Sequence, residues 1–153
     1  MQTLELKIPP PVVTLLVAVS MWFARGYAPS LGLAIPWRPA LAVALVIVGI
    51  ALALAGVLAF RKAKTTVNPM KPEASSTVVA TGIYRFTRNP MYLGMLVVLL
   101  GWAVFLANGI CFLLLPVFVL YMNRFQIGPE ERVLSEHFGT GYATYMKSVR
   151  RWL

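Results

Sequence analysis

Three long stretches of this chain carry no charge at all: Ile8 to Ala24, Pro39 to Phe60, and Asn89 to Asn123. About 20 apolar residues suffice for one membrane helix, and the second stretch has that length. The third is too long for one crossing, and Asn108-Gly109 divides it into two runs near the short end of the spanning range. The expectation is an all-α integral membrane bundle of about four transmembrane helices, at 12–27, 40–60, 91–107 and 110–125. Composition agrees, since 59% of the 153 residues are hydrophobic and only 12% are charged. That charge fraction is about half that of an ordinary soluble domain.

The formal net charge of +9 would suit nucleic acid, but its distribution favours a membrane. With the amino terminus cytoplasmic, only Arg25 and Arg38 of the 14 Lys and Arg residues fall outside. The rest, among them Lys7, Arg61, Lys62, Lys64, Arg85, Arg88, Arg124, Arg132 and Arg151, share the cytoplasmic side, as the positive-inside rule requires. Four spans return the carboxyl terminus to that side. Both termini are therefore expected in the cytoplasm, with the basic residues facing the anionic head groups of an inner or plasma membrane. No nucleic-acid partner is expected. The first apolar run has the character of a signal peptide, yet Pro9-Pro10-Pro11 and the lack of a small-x-small site before Arg25 favour a retained helix. Cys111 stands alone in an apolar run and reads as a packing residue. A single histidine, His137, and no aspartate leave no protein-only metal site.

The chain reads as a single membrane domain. Residues 1–60 hold the first two helices, 61–90 a cytoplasmic connection rich in Ser, Thr, Pro and Lys, and 91–127 a helical hairpin. Within the connection, Val78-Val79-Ala80 reads as a patch that packs on the membrane surface. Gly49 and Gly56 in the second helix allow another helix or a ligand close to the backbone, and permit a homodimer. In the last segment, 128–153, Leu134, Phe138, Tyr142, Tyr145, Met146, Val149 and Trp152 recur at steps of three and four. That spacing predicts an amphipathic cytoplasmic helix running to Trp152. Gly139 is expected to end its first part and Thr140 to cap its second. An interfacial anchor and a lid over a pocket fit this pattern equally.

The segment Gly82 to Gly94, G-I-Y-R-F-T-R-N-P-M-Y-L-G, sets two arginines, an amide and two tyrosines at the mouth of a membrane run, where polar groups are costly. Asn89-Pro90 reads first as a helix start. Gly128-Pro129-Glu130-Glu131 reads as another, with acids in the first turn where the helix dipole favours them. In an antiparallel hairpin, however, Asn89 and Arg124 reach the same membrane face, and Glu130 and Glu131 follow at once. Arg88, Asn89, Tyr92, Arg124, Glu130 and Glu131 are thus expected to converge. Both signs of charge beside an apolar cavity suit a zwitterion: carboxylates for an ammonium group, Arg and Asn for a carboxylate. Tyrosine faces suit an adjacent cation. S-adenosylmethionine has an amino group, a carboxylate and a sulfonium; an amino acid or a phospholipid head group meets the same physics.

These two motifs, the second continuing from Pro129-Glu130-Glu131-Arg132 through Phe138-Gly139, Tyr142 and Tyr145 to Val149-Arg150-Arg151-Trp152, resemble the isoprenylcysteine carboxyl methyltransferase and phospholipid methyltransferase superfamily. The resemblance covers about Thr65 to Leu153. It implies an integral-membrane, S-adenosylmethionine-dependent methyltransferase acting on a lipophilic acceptor that arrives from the bilayer, whether an isoprenylcysteine carboxylate, a phospholipid amine or a small thiol. It implies a cofactor-binding module over 82–153, with Tyr84, Arg88, Asn89, Pro90, Tyr92, Leu93, Gly94, Glu130 and Glu131 as cofactor residues. Arg124, to position an anionic acceptor, and Glu131 are the catalytic candidates. Asn89 departs from the histidine usual in the isoprenylcysteine enzymes and matches the Asn-Pro-Met-Tyr of phospholipid N-methyltransferases. The competing readings are a membrane NADPH-dependent reductase of related fold and a non-enzymatic membrane scaffold or solute binder.

Overall fold

A computed structural model describes residues 5–27, 31–66, 68 and 70–153; Val67 and Pro69 of the expected connection lie outside the described residues. The described residues form six α-helices: α1 (Pro10–Tyr27), α2 (Arg38–Lys62), α3 (Pro90–Leu106), α4 (Gly109–Met122), α5 (Gly128–Phe138) and α6 (Thr140–Ser148). Among the described residues the sole β feature is an isolated bridge between Gly32 and Asn108. Proline stands in the first turn of α1, α2 and α3, where its missing N–H would have had no helical partner anyway.

Among the described residues two helices are long and apolar enough to cross a membrane: α2, and the continuous helix Gly109–Phe138. The shorter α3 is also apolar. Outward-facing side chains are apolar as well, including Leu15, Leu16 and Phe23 on α1, Ile47, Leu54 and Leu58 on α2, and Leu113 and Leu120 on α4. In water such a belt would be a large adhesive surface, whereas lipid solvates it. Inside, Met21, Leu99, Ala103, Cys111, Phe118 and Met122 close the core between α1, α3 and α4. Cys111 has the packing role expected of it, fully buried with its thiol 3.5 Å from the Met21 carbonyl.

Helices α2 and α3 meet along a seam of small residues. Ala42, Gly49 and Gly56, seven apart, are the buried residues of α2. A Cβ on Gly49 would lie 2.6 Å from the Gly94 carbonyl oxygen, and one on Gly101 would lie 2.9 Å from that of Ala42. Without Cβ atoms the two backbones approach and gain dispersion contacts that lipid cannot offer. The α2 glycine face, read from sequence as open to a homodimer or a ligand, is occupied by α3.

The α3–α4 turn falls where Asn108-Gly109 predicted it. Ala107 adopts φ 50°, and Asn108 Oδ1 accepts the Ile110 N–H at 3.0 Å, capping α4. At the opposite end the expected fresh helix start at Gly128 is not found. Gly128 is helical, and α4 runs into α5 through a π turn, Asn123–Ile127. Pro129 has no N–H for the carbonyl of Phe125, four residues back. The Leu6 N–H supplies the missing donor at 3.0 Å, and the wider turn gives the proline ring room.

Gly139, at φ 54°, separates α5 from α6 as expected, but it takes the cap position itself, and Thr140 begins the helix without a side-chain cap bond. The expected helical run to Trp152 stops at Ser148, where Val149 turns extended. Arg88 causes the stop. Its Nη1 donates to the carbonyls of Met146 at 2.8 Å and Val149 at 2.7 Å, satisfying helix-end acceptors that have no intrahelical partner.

Candidate active site

The turn at Gly82–Arg85, with Gly82 at φ 61°, leads into an extended stretch before α3. There Thr87 to Asn89 pairs with the returning carboxyl terminus. The Arg88 N–H donates to Arg150 O at 3.0 Å, Thr87 Oγ1 donates to Arg151 O at 3.3 Å, and Asn89 Nδ2 donates to the same carbonyl at 2.9 Å. Asn89 therefore precedes α3 without capping it through its side chain. One of its two amide N–H groups goes to the tail.

That pairing carries Arg88 and Arg151 to one carboxylate. Arg88 Nη2 donates to Glu131 Oε1 at 2.7 Å; Arg151 donates to both Glu131 oxygens, through Nε to Oε1 at 3.1 Å and through Nη2 to Oε2. Burial would raise the Glu131 pKa, but hydrogen bonds from Arg151 and Arg88 outweigh it and hold the carboxyl below its ordinary value. The bond to Glu131 likewise raises Arg151. The next carboxylate is in the opposite condition. Glu130 Oε1 accepts from Tyr92 Oη and Gln126 Nε2, both neutral, and no cation among the described residues pairs with it. Burial, only partly offset by those two bonds, pushes Glu130 up to about 7, and neighbouring Glu131 adds to the rise. Two adjacent glutamates are thus driven to opposite protonation preferences by their partners.

Both carboxylates line a cavity of about 80 Å³. Its polar wall is Arg88, Asn89, Glu130, Glu131 and the backs of Tyr84, Tyr142 and Tyr145; its apolar wall is Phe60, Val78, Val79 and Leu134. Tyr145 donates to the Tyr84 carbonyl at 2.8 Å and its pKa is pushed up to about 12 by burial; Tyr84 and Tyr142 are raised further for the same reason. The volume holds only a few waters. Ligand pockets run to several hundred Å³. The cover is Ser75 to Val79, fixed by Ser76 N–H to Thr65 Oγ1 at 2.9 Å and by burial of Val79 against Tyr84, Tyr142 and Tyr145.

Of the residues named from sequence, Tyr84, Arg88, Asn89, Glu130 and Glu131 meet at this cavity. Tyr92 reaches it through Glu130. Pro90, Leu93 and Gly94 are buried in helix packing, and Gly94 faces the α2 backbone. Arg124 does not converge. Its Nη1 donates to Glu5 at 2.7 Å on an outer face, where Arg132 shares the same carboxylate, and its side chain is 48% exposed. A π turn adds one residue to the helical count, so the helix face bearing Arg124 is swung away from that bearing Glu130. Sequence reasoning missed Arg151, Gln126, Phe60 and the Ser75–Val79 cover. Val78-Val79, an apolar pair in a polar connection, was the available signal for the cover; Arg151 carried none, because a basic residue near a terminus also satisfies the positive-inside pattern.

A sequence model described as phospholipid methyltransferase matches residues 37–141. The chain is 44% identical over 63 residues to a protein of Haemophilus influenzae described as uncharacterized, a match spanning 41% of this chain and all of that protein. It is 28% identical over 113 residues to protein-S-isoprenylcysteine O-methyltransferase A of Arabidopsis thaliana, spanning 74% of this chain and 57% of that protein. The chain therefore spans a little over half the length of the plant enzyme. No solved structure matches.

Proposed function

The chain belongs to the phospholipid methyltransferase family, and we propose that it transfers a methyl group from S-adenosylmethionine to a lipophilic acceptor at the cavity between α5, α6 and the start of α3. The observation that carries this reading is the meeting of Arg88, Asn89, Glu130 and Glu131 there, from two segments some forty residues apart. The name of the Arabidopsis relative, a methyltransferase of isoprenylated protein, supports a lipid-linked acceptor.

The donor set fits the cofactor. Arg88 Nε is buried with no hydrogen-bond partner among the described residues, so one donor at the cavity waits for an acceptor such as a carboxylate. Asn89 stands beside it. The Glu131 carboxylate, held ionised by two guanidiniums, fixes Arg88 at the cavity wall, where the net positive charge of the cluster favours the donor's carboxylate. Phe60, Val78, Val79 and Leu134 offer apolar walls for the nucleoside. When bound, S-adenosylmethionine supplies an activated methyl group. What remains for the protein is to align acceptor and methyl carbon and to exclude water, which contributes several kcal/mol through positioning. Ser75 to Val79 must move outward to admit a nucleoside and then close over it.

In the membrane we place α1 and α3 as shorter spans beside α2 and α4, with both termini cytoplasmic. Arg61, Lys62, Arg88 and Arg124 then share the cavity end. Tritiated methyl transfer into lipids, proteins and thiols extracted from the host membrane tests the function. Label in a lipid or lipid-linked fraction is expected; no label in any fraction, from folded protein, would refute it.

A further inference from the structure

At the end of the bundle opposite the cavity stand Arg25, in the last turn of α1, and Arg38, the first residue of α2. They are the two exceptions to the charge distribution of the chain, on the side that the positive-inside rule disfavours for cations. Neither has a counter-charge. All five acidic residues, Glu5, Glu73, Glu130, Glu131 and Glu136, belong to segments at the cavity end, and the loops joining α1 to α2 and α3 to α4 contain none. The ion pairs among the described residues all fall on Glu5 and Glu131.

Beside the two arginines lies an apolar groove of about 240 Å³. Ala42, Val43, Val46 and Ile47 of α2 form one wall, and Trp102 and Phe105 of α3 the other. Val43, Ile47 and Phe105 are exposed, so the groove opens toward lipid. Arg38 shares a helix face with Ala42 and Val46, at steps of four, and stands one turn above the groove. Arg25 reaches it through a stack. Its guanidinium lies 4.0 Å from the centre of the Trp22 ring, Trp22 stacks on Trp102 at 6.0 Å, and Trp102 stacks on Phe105 at 5.4 Å. Trp102 is held in place by its Nε1–H, which donates to the Ala18 carbonyl at 3.0 Å. The stack occupies one face of the Arg25 guanidinium and leaves its N–H edge turned to no carboxylate among the described residues.

We propose that this groove and the two arginines bind one anionic phospholipid of the leaflet facing away from the cavity, with an acyl chain in the groove and the phosphate between Arg25 and Arg38. The inference rests on the membrane placement given above and not on methyl transfer. Guanidinium N–H groups match phosphate oxygens in a forked geometry, and the head group supplies the negative charge that the chain lacks at this end. A second copy of the chain is the poorer occupant. It carries no carboxylate here, and its docking would bring four arginines together uncompensated. The bound lipid is not the methyl acceptor, because α3, 17 residues and about 25 Å long, separates the groove from the cavity. It ties α1, packed on α3 and α4, to α2, packed on α3.

Native mass spectrometry of the detergent-released full chain, with phosphatidylglycerol or phosphatidylcholine added, tests this. One phosphatidylglycerol is expected to be retained per chain, at least about tenfold more tightly than phosphatidylcholine, the preference that two cations near a head group provide. Arg25→Gln/Arg38→Gln should lose that preference, and the control pair Arg61→Gln/Lys62→Gln should keep it. Val43→Phe, which fills the groove and leaves both arginines, should weaken retention at least about threefold, the worth of one buried methylene. Equal retention of the two lipids by wild type, a preference unchanged in the arginine pair or lost equally in the control pair, or a dimer that forms through this face and excludes lipid would each overturn the proposal. Recovery of folded wild type from cells without detergent would instead refute the membrane placement. Should the arginine pair not fold, Val43→Phe decides, and undiminished retention in it overturns the proposal.

Discussion

Arg151 grips both oxygens of Glu131, so the third residue from the carboxyl terminus locks the first turn of α5. The lock is a fork-to-fork geometry that lysine cannot copy. Arg151→Lys should destabilise the protein by about 1–2 kcal/mol, a range already discounted for the partial exposure of Arg151. Donor affinity should fall with it, because Glu131 and Arg88 lose their shared registry. Thermal unfolding in detergent and calorimetry read the two effects.

The glycine seam gives a sharper stability test. A Cβ on Gly94 would strike the α2 backbone at Gly49 and Ala53, which cannot yield as a flexible side chain would. Gly94→Ala should cost about 1–3 kcal/mol, as overpacking does. Gly82→Ala meets nothing within 4 Å but must hold φ 61°, so its cost should be about 1 kcal/mol. Reversal of that order in unfolding midpoints would contradict the packing of α2 on α3.

Glu130 should make stability fall as pH rises. Its folded pKa, about 7, is above the ordinary carboxyl value of 4.5, so the folded state holds a proton that the unfolded chain has released between those values. Stability is then lost progressively between about pH 4.5 and 7, by a few kcal/mol at most. Glu130→Gln should abolish that slope. Glu131 works in the other direction: its lowered pKa gives stability that is present above the ordinary carboxyl range and disappears as pH falls through the folded value. Unfolding curves collected from about pH 2 to 8 separate the two.

Arg124 should matter little. It forms an exposed surface pair with Glu5, outside the cavity. Arg124→Ala is expected to change neither donor affinity nor the unfolding midpoint measurably, whereas an acceptor-positioning role would reduce transfer.

The helix pattern was legible because each boundary has a local cause. Asn108 caps, Pro90 starts, Gly139 breaks, and the charge-free runs set the lengths. Half the site was legible for the same reason: Arg88-Asn89 and Glu130-Glu131 are polar groups set beside apolar runs. What sequence hid was non-local. Phe125 loses a donor to Pro129 and recovers one from Leu6, and the resulting π turn rotates Arg124 outward. Arg88 halts α6 only because the tail folds back on it, and Arg151 joins Glu131 only by that return. No periodicity along the chain records such long-range exchanges of hydrogen-bond partners.

Movement of the cover is open to direct observation. Backbone amides of Ser75 to Val79 should exchange with solvent faster than those of α3 in the free protein, and should slow when S-adenosylmethionine is added.

The central claim is that the cavity at Arg88, Asn89 and Glu131 binds the methyl donor. Calorimetric titration of S-adenosylmethionine into the folded, detergent-solubilised protein tests it most directly. The predicted result is micromolar binding that weakens at least about tenfold in Asn89→Ala and in Glu131→Ala, the loss expected for a charged or polar contact. Absence of heat from wild type, or undiminished binding in both variants, would contradict it.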